Sequence, residues 1–504
     1  MLKSIIDMLL GKLVAKDVDA EKGEKKPDFI RLEAPVFRKD LILIGVTKNK
    51  NKRKLKEYPW VGIYLNQEQL KTHIGIFGST GRGKTLLLQC IAAQCVWQGW
   101  PLLLLDQKYD ENLMKICYCC AVLCGRGSDF QVVSPYGIED PSGLLGGLGS
   151  CSYNPLMGIR SSLGLTTALL AAGRKDGAST VAFWEDVKIQ IVESLVDAIM
   201  STNKNFLFED LFAALDQVSA LQMLLAESKD ERANLALTDW LKNLNNDNGI
   251  QAQQNQVREF QGAKMFFRSM SSGSLGKCLG STTPDVTIRR TYVENKITFF
   301  ILPALLMNET SKQVAKLVIS ELNYLAGALQ AESNDKKIFM VIADEAYSIT
   351  TESLILTASM GRSSGIALVI VYQALAQMDM AVSSSFREVL LSNLNSKVSF
   401  ASAETEQAES LAAMIGHRKI KSTHRYGEIS EVAAETFLIT PTRLMKLKIF
   451  EAVYLIHGKV YQGFVPNLPS GWQLGTTKIP RPKFEPTISN EGGIQIYKRI
   501  IDNQ

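Results

Sequence analysis

From residue 72 onward, short apolar segments alternate along the chain with stretches of helical periodicity. The centre of one segment, residues 102–105, consists of leucine alone, as expected of a strand that is buried on both faces. Alternation of this kind predicts βαβ units around a parallel sheet. We predict strands at 72–77, 101–106 and 130–134 and helices at 85–98 and 112–124.

The alternation stops after residue 156, and the residues that follow have only helical periodicity. Trp184, Val187, Ile191, Leu195 and Ile199 form one apolar helix face, and 207–226 predicts a further helix or helix pair. Strands resume near residue 296. The later strands are predicted at 296–302, 337–344 and 366–373, with helices at 311–330 and 351–363 and last strands at 397–401 and 450–456.

This order predicts one α/β core of parallel strands that is interrupted by an all-α domain. The two parts of the core are 72–156 and 291–465, and the inserted domain is 157–290. Residues 1–71 form an N-terminal segment with lead-in strands, and 466–504 form a proline-rich, extended C-terminal tail that is a candidate docking peptide.

The N-terminal segment contains two candidate contact sites. Residues 1–14 have helical amphipathicity with nearby lysines, which suits a membrane-surface or partner-binding helix and equally a helix packed on its own domain. Residues 17–28 are charged and predict a linker. Residues 48–56 contain six basic residues; they suit phosphate or anionic lipid, although a solvated hairpin tip is the favoured interpretation.

Composition narrows the class of protein. The chain has 504 residues, of which 46% are hydrophobic and 21% charged, so a disordered or collagen-like chain is excluded. A net charge of +5 is too small to indicate nucleic-acid binding by itself. Eight cysteines without a secretory leader suggest reduced thiols in the cytoplasm. No run of about 18 apolar residues occurs, so we expect no transmembrane helix.

A phosphate-binding motif follows the first predicted strand. The sequence Gly78-Ser-Thr-Gly-Arg-Gly-Lys-Thr85 matches GxxxxGK[ST] and opens a predicted helix, which is the context that supports such a motif. Backbone amides of the glycine-rich loop close around phosphate oxygens, and the helix dipole adds to the attraction. The predicted nucleotide contacts are Gly78, Ser79, Thr80, Gly81, Arg82, Gly83, Lys84 and Thr85.

A pair of acids ends a later apolar strand. We expect Thr85 and Asp344 to hold Mg²⁺, Lys84 to reach the β- and γ-phosphates of ATP, and Glu345 to polarise the attacking water. Gln373, at the end of the next strand, is a candidate γ-phosphate sensor. Arg362 suits an arginine finger supplied by a neighbouring subunit, or equally an ordinary helix-terminal arginine; Arg387 and Arg418 are lesser candidates.

At these residues the chain resembles a known family, the conjugative coupling proteins of type IV secretion (TraG/TraD type) within the HerA/FtsK group of ring ATPases. The resemblance covers residues 75–416. It includes the phosphate loop, Leu105-Asp-Gln-Lys108, Tyr153-Asn-Pro-Leu156, Phe300-Ile-Leu-Pro-Ala-Leu305, Ala343-Asp-Glu-Ala346, Gly361-Arg-Ser-Ser-Gly365, Val371-Tyr-Gln373, Leu391-Ser-Asn-Leu-Asn-Ser-Lys-Val-Ser-Phe400 and Glu404-Thr-Glu-Gln-Ala408.

The resemblance implies a RecA-like P-loop NTPase core with an inserted all-α domain and a homo-hexameric, DNA-dependent ATPase that uses ATP and Mg²⁺. Such a protein brings relaxase-bound single-stranded DNA to the components of a type IV secretion channel. The resemblance also favours Gln373 as sensor and Arg362 as finger, and it assigns Asp106 and Lys108 to a signature after the second strand.

Most members of that family begin with two transmembrane helices, and residues 1–71 are too short and too polar to form them. We therefore expect a cytoplasmic chain, peripheral at the bacterial inner membrane and held there by a membrane-anchored partner or by 1–14 and 48–56. Two alternatives stay open: a soluble HerA/FtsK-like DNA translocase of another pathway, and a secretion substrate receptor that uses nucleotide mainly for assembly.

Three further groups of residues bear on metal or DNA binding. Cys117, Cys119, Cys120 and Cys124 crowd one predicted helix; they are interpreted as buried apolar residues, since one helix cannot surround a zinc ion. Four scattered histidines have no metal-ligand spacing. Basic residues in or beside an Asn/Gln-rich segment are candidate DNA contacts at a ring pore, although each is more typical of a solvated helix face: Lys242, Arg258, Lys264 and Arg268.

Overall fold

The computed structural model of the chain describes residues 37–48, 60–136, 149–173, 186–246, 250–332, 336–422, 432–468 and 483–502. The predicted helix at 1–14, the linker at 17–28 and the basic residues after Lys48 lie outside the described residues. So do Trp184 and the side chain of Arg258.

The core is an eleven-stranded sheet with the strand order β2-β1-β13-β12-β9-β3-β8-β7-β4-β6-β5. A separate pair, β10 and β11, forms its own two-stranded sheet. The strands are β1 (Leu41–Lys48), β2 (Trp60–Asn66), β3 (Ile74–Phe77), β4 (Leu102–Asp106), β5 (Phe130–Val133), β6 (Ile297–Ile301), β7 (Phe339–Asp344), β8 (Ile366–Tyr372), β9 (Ser396–Ser399), β10 (His417–Ser422), β11 (Val432–Phe437), β12 (Glu451–Ile456) and β13 (Lys459–Phe464).

The helices before the second part of the core are α1 (Gln67–Leu70), α2 (Lys84–Gln98), α3 (Glu111–Leu123), α4 (Pro155–Gly158), α5 (Ser162–Gly173), α6 (Asp186–Ser201), α7 (Phe208–Asp216), α8 (Val218–Glu227), α9 (Glu231–Asn246), α10 (Ile250–Ser271), α11 (Gly273–Leu279) and α12 (Ile288–Val293). The later helices are α13 (Ala304–Ala331), α14 (Glu352–Ser364), α15 (Ala376–Ala381), α16 (Ser384–Asn393), α17 (Thr405–Ile415), α18 (Pro441–Met445) and α19 (Ile496–Asp502). Short 3₁₀ turns occupy Gly127–Asp129 and Ala346–Ile349.

Seven neighbouring strands of the sheet, from β9 to β5, are parallel. The remaining four pair antiparallel beyond β9. This arrangement, with the P-loop between β3 and α2, confirms the predicted RecA-like α/β core with a mostly parallel sheet.

Both faces of the sheet are covered, which explains the apolar strands. In β4, Leu102 and Leu104 pack on the face that carries α2 and α3, whereas Leu103 and Leu105 pack with helices that lie between β5 and β6. Alternate residues of one strand thus enter two cores, and each strand needs apolar residues at every position.

The segment between β5 and β6 contains helices α4 to α12 and no strand longer than an isolated bridge within its described residues. The predicted change from alternating to purely helical periodicity is therefore observed. The exact division into 72–156, 157–290 and 291–465 stays a prediction.

Three sequence predictions need correction. The strand at 450–456 is not the last one, because β13 follows it and pairs with it. The pair β10 and β11 was not predicted, since β10 is mostly polar and neither strand alternates between apolar and polar residues. The tail is not extended throughout: Ile496–Asp502 form α19, which packs on α7 and α8. Among the described residues, no helix combines the length and apolarity that crossing a bilayer requires.

Candidate nucleotide site

The candidate residues meet at one edge of the parallel sheet. Strands β3, β4, β7 and β8 are parallel, so their carboxyl ends lie together. The phosphate loop leaves β3, Asp106 ends β4, Asp344 ends β7 and Gln373 follows β8. The register places Asp106 opposite Asp344. Ligand sites of open α/β sheets lie at such edges.

The phosphate loop is closely packed against neighbouring loops. A β-carbon on Gly78 would approach the Phe400 β-carbon to 2.6 Å, and one on Gly83 would approach the Phe450 ring to 2.7 Å. Both glycines also have positive φ, 142° and 111°. Only glycine combines this conformation with this close approach. Ser79 ties the loop to the residues after β9: its amide donates to Ala401 O at 3.0 Å.

Lys84 lies at the start of α2 with its ammonium turned into the loop. Its Nζ donates to the carbonyl oxygens of Gly78 at 2.6 Å and Ser79 at 2.9 Å. Burial lowers the pKa of Lys84, and the nearby carboxylates of Glu345 and Asp344 oppose that change. Thr85, in the same first turn, is partly exposed. The helix start therefore presents a cation and a hydroxyl to the loop.

Asp344 is buried and only partly hydrogen-bonded. Its Oδ1 accepts from the Glu345 amide at 3.0 Å, whereas its Oδ2 has no hydrogen-bond partner among the described residues. Burial raises the pKa of Asp344 to about 7, and the neighbouring carboxylates of Asp106 and Glu345 add to the rise. A buried carboxylate oxygen without a donor suits Mg²⁺, which binds through one or two carboxylates together with substrate phosphates.

Glu345 is held by the residue predicted as the sensor. Gln373 Nε2 donates to both carboxylate oxygens of Glu345, at 2.5 and 2.7 Å. Thr80 Oγ1 in the phosphate loop donates to Gln373 Oε1 at 3.2 Å. Glu345 has a positive φ of 55°, a strained conformation for a residue with a side chain. The loop, the sensor and the acid thus form one hydrogen-bonded series, which the sequence did not indicate.

Arg362 lies far from this series within its own chain. It is exposed near the end of α14, four residues before β8 begins, whereas Gln373 follows the end of β8. The seven residues of β8 span about 20 Å at ~3.3 Å each. The structure therefore does not bring Arg362 to the other predicted residues. Arg387 pairs with Asp379, and Arg418 is exposed on β10, outside the main sheet.

The remaining candidate residues lie in or directly after helices α3, α9 and α10. Cys117, Cys119 and Cys120 are buried, as predicted, and Cys124 is half-buried. Of the candidate DNA contacts, Lys242 pairs with Asp239, Lys264 pairs with Asp216, and the Arg268 guanidinium lies 5.9 Å from the centre of the Phe212 ring. Their role in DNA binding stays a prediction.

Two family models match the chain at the residues of this site. "Helicase HerA, central domain" matches 45–110, which includes the phosphate loop. "TraM recognition site of TraD and TraG" matches 339–448, which includes Asp344, Glu345 and Gln373.

A curated relative, the type 4 coupling protein DotL of Legionella pneumophila, is 23% identical over 384 residues. The match covers 68% of this chain and 48% of the relative, so this chain spans about half the length of that protein.

Solved structures share the fold. The plasmid coupling protein TrwB, in complex with a non-hydrolysable GTP analogue, superposes with a TM-score of 0.54 at 15% identity, covering 84% of this chain and 94% of the solved TrwB chain. TrwB has also been solved with ADP and Mg²⁺. VirB4 of Thermoanaerobacter pseudethanolicus superposes with a TM-score of 0.50 at 14% identity. The match covers 86% of this chain and 98% of the solved VirB4 chain. In its sequence motifs and in its fold, this chain is similar to the type IV secretion coupling proteins.

Proposed function

We propose that the chain is an ATP-hydrolysing motor that couples relaxase-bound single-stranded DNA to a type IV secretion channel. The observation that carries the proposal is the convergence of Lys84, Asp344, Glu345 and Gln373 at one sheet edge of a coupling-protein fold. The relatives support the choice of ligand, since TrwB was solved with ADP and Mg²⁺ and with nucleotide analogues.

In this proposal each residue has one task. Lys84 leaves the carbonyls of its own loop to bind the β- and γ-phosphates, and Thr85 and Asp344 hold Mg²⁺. Glu345 accepts a hydrogen bond from the attacking water and polarises it. Gln373, which now holds both oxygens of Glu345, releases them when a γ-phosphate engages Thr80 and the loop.

The arginine finger acts between subunits. The length of β8, about 20 Å, separates Arg362 from its own Gln373, so Arg362 serves a site only when a neighbouring copy presents it. We therefore propose a homo-hexamer in which nucleotide lies between subunits. The fold shared with TrwB is compatible with such a ring.

The proposed partners follow from the family segments. The match over 339–448 to a TraM recognition site supports a contact with a relaxosome protein, and the resemblance to coupling proteins supports a contact with channel components. We propose that the chain works at the inner membrane as a peripheral protein, held by a membrane-anchored partner.

The test measures ATP turnover with no DNA, with single-stranded DNA and with duplex DNA, each at two salt concentrations. We expect single-stranded DNA to stimulate turnover, and higher salt to weaken the stimulation because phosphate contacts release counterions. The Lys84→Ala variant should lose turnover under every condition. Equal turnover with and without DNA, together with no DNA binding, would exclude DNA pumping.

A second candidate is favoured by the match to the HerA central domain. If duplex ends stimulate the ATPase and no channel component binds, the chain is a DNA translocase of another pathway. If the Glu345→Gln variant loses turnover yet still recruits and transfers substrate, the chain is a substrate receptor that uses nucleotide mainly for assembly.

A further inference from the structure

Two neighbouring aspartates at the nucleotide edge differ in what they bind. Asp106 and Asp344 end adjacent strands in register, and both are buried. Both oxygens of Asp106 are occupied by its own loop: Oδ1 accepts from the amides of Lys108 at 3.0 Å and Tyr109 at 2.9 Å, and Oδ2 accepts from the amide of Asp110 at 2.6 Å. Asp344, in contrast, has one oxygen without a partner in the described part of the chain, and this oxygen suits a metal. Asp106 is therefore suited to ordering a loop, not to binding Mg²⁺.

The loop after β4 is held at both ends. Three successive amides converge on the Asp106 carboxylate, and Asp110 then caps α3 by accepting from the Leu113 amide at 3.0 Å. Tyr109 adopts a positive φ of 60°, a conformation that persists only where the surroundings impose it. The carboxylate supplies that constraint, and it fixes the direction in which Lys108 leaves the backbone.

Lys108 brings a cation to the edge where the phosphates would lie. Its positive charge acts on both halves of the site, lowering the pKa of Lys84 and opposing the rise of the Asp344 pKa that burial causes. Its side chain is exposed and makes no ion pair or hydrogen bond within the described ranges. Nearby Lys115, in contrast, pairs with Glu111 at 2.8 Å. An ammonium that has no partner among the described residues, and that extends from a fixed loop beside carboxylates, is available to an anionic ligand.

We propose that Lys108 binds a non-bridging oxygen of the terminal phosphate of ATP as a second cation of the site, supplied by the same chain, and that Asp106 is its positioning residue. The inference rests on the proposed ATPase function. Lys84 and Lys108 would approach the phosphates from two loops, after β3 and after β4, and Asp344 ends β7, which lies between these two strands in the sheet. Charge that develops on the terminal phosphate during transfer would meet a fixed cation.

The first experiment compares Lys108→Met with Lys115→Met in the full chain. Lys108→Met keeps the length of the side chain and removes its charge. We expect kcat to fall about 10- to 100-fold and the affinity for a non-hydrolysable ATP analogue to fall about 10-fold, while ADP affinity changes by less than about twofold. Lys115→Met should behave as the parent. Unchanged turnover, or equal losses of analogue and ADP affinity, would overturn the role of Lys108.

The second experiment tests whether Asp106 acts through Lys108. Asp106→Asn should lower kcat because the loop loses its charged acceptor. If Asp106 only positions Lys108, the Asp106→Asn, Lys108→Met double variant should be no slower than Lys108→Met alone. If the double variant lost kcat by the product of the two single losses, Asp106 would not act through Lys108, and the positioning role would be excluded. Should Asp106→Asn fail to fold, Asp106→Glu replaces it in the same cycle.

Lys108→Arg separates charge from other causes, since it should retain most of the turnover. Lys84→Ala separates the inference from the proposed function. If the parent protein has no ATPase activity, or if Lys84→Ala retains it, the proposed function fails. If Lys84→Ala is inactive while Lys108→Met has normal turnover, only the inference fails.

Discussion

Two buried carboxyl groups with similarly raised pKa values serve different purposes in this molecule. Asp344 lies at the nucleotide edge, and Glu321 lies within α13, where the helical segment joins the sheet. Burial raises the pKa of each to about 7. Among the described residues Asp344 Oδ2 has no hydrogen-bond partner, whereas Glu321 accepts from Tyr153 Oη and from the Ile288 amide, each at 2.8 Å.

The partners of Glu321 explain its purpose. Tyr153 precedes the first helix of the helical segment and Ile288 begins the last, so one carboxyl group holds both ends of that segment against α13. A carboxyl group whose oxygens are all satisfied stabilises a junction; one with an open oxygen awaits a ligand. A shifted pKa therefore does not identify a functional site until the hydrogen bonds have been counted.

The largest expected effect is on turnover. Glu345→Gln removes the carboxylate that polarises water and should lower kcat about 1,000-fold. Affinity for a non-hydrolysable ATP analogue should remain, because the phosphate loop is intact. Steady-state turnover and analogue titration provide the measurement. Glu352→Gln, exposed in the first turn of α14, should behave as the parent; an equal loss there would contradict the assignment.

Removing the Glu321 carboxyl group at the junction should lower the stability of the chain. Glu321→Ala leaves the Tyr153 hydroxyl and the Ile288 amide buried without a partner and creates a cavity, so the free energy of unfolding should fall by about 3–5 kcal/mol. Urea unfolding measures the change. Glu332→Ala, exposed at the end of α13, should change it by less than about 0.5 kcal/mol. The expected loss of unfolding free energy is ~3–5 kcal/mol. If Glu321→Ala lost less than about 1 kcal/mol, the junction would not depend on this carboxyl group.

Removing the Asp344 charge at the nucleotide edge should raise the stability of the chain, whereas removing Glu321 should lower it. The folded chain binds the Asp344 proton more tightly than the unfolded chain, because the folded pKa of about 7 exceeds the ordinary value of 3.8. The contribution of Asp344 to the free energy of unfolding therefore decreases as pH rises from about 4 to about 7. Without nucleotide and Mg²⁺, Asp344→Asn should stabilise the chain at pH 8 by about 1–3 kcal/mol and abolish turnover.

Unfolding curves at pH 5 and pH 8 measure this change. The stability gap between the Asp344→Asn variant and the parent should widen at the higher pH. A variant less stable than the parent at pH 8 would mean that Asp344 is a structural group like Glu321.

The smallest expected effect concerns the C-terminal segment. Asp285 accepts from the Ser152 amide at 2.8 Å and from the Thr487 amide at 3.0 Å, and the Thr487 hydroxyl donates to it as well. Thr487→Val removes the last of these bonds and should cost about 1 kcal/mol. Limited proteolysis should then release the C-terminal residues sooner. Thr442→Val, at an exposed position, is the matched control. If both variants were cleaved at the same rate, the hydrogen bond of the Thr487 hydroxyl would not hold the C-terminal segment.

The local patterns of the sequence determined much of the fold and the identity of the main site residues. A strand that is buried on both faces has a continuous run of apolar residues in the sequence. Strands β3, β4, β7 and β8 were therefore predicted near their observed bounds. The phosphate loop is a contiguous motif, and Asp344 and Glu345 follow an apolar strand directly. The ends of parallel strands meet at one edge, so their proximity followed from the order of elements alone.

Only the tertiary structure decided which polar atoms are satisfied. Tyr153, Ile288 and Glu321 lie far apart in sequence, and no periodicity links them, so their hydrogen bonds were not predictable. The same holds for Thr80, Gln373 and Glu345, and for the three amides on Asp106. Whether a carboxyl oxygen has a donor depends on which distant backbone is folded against it. That fact separates Asp344, which is free to bind metal, from Asp106 and Glu321, which are not.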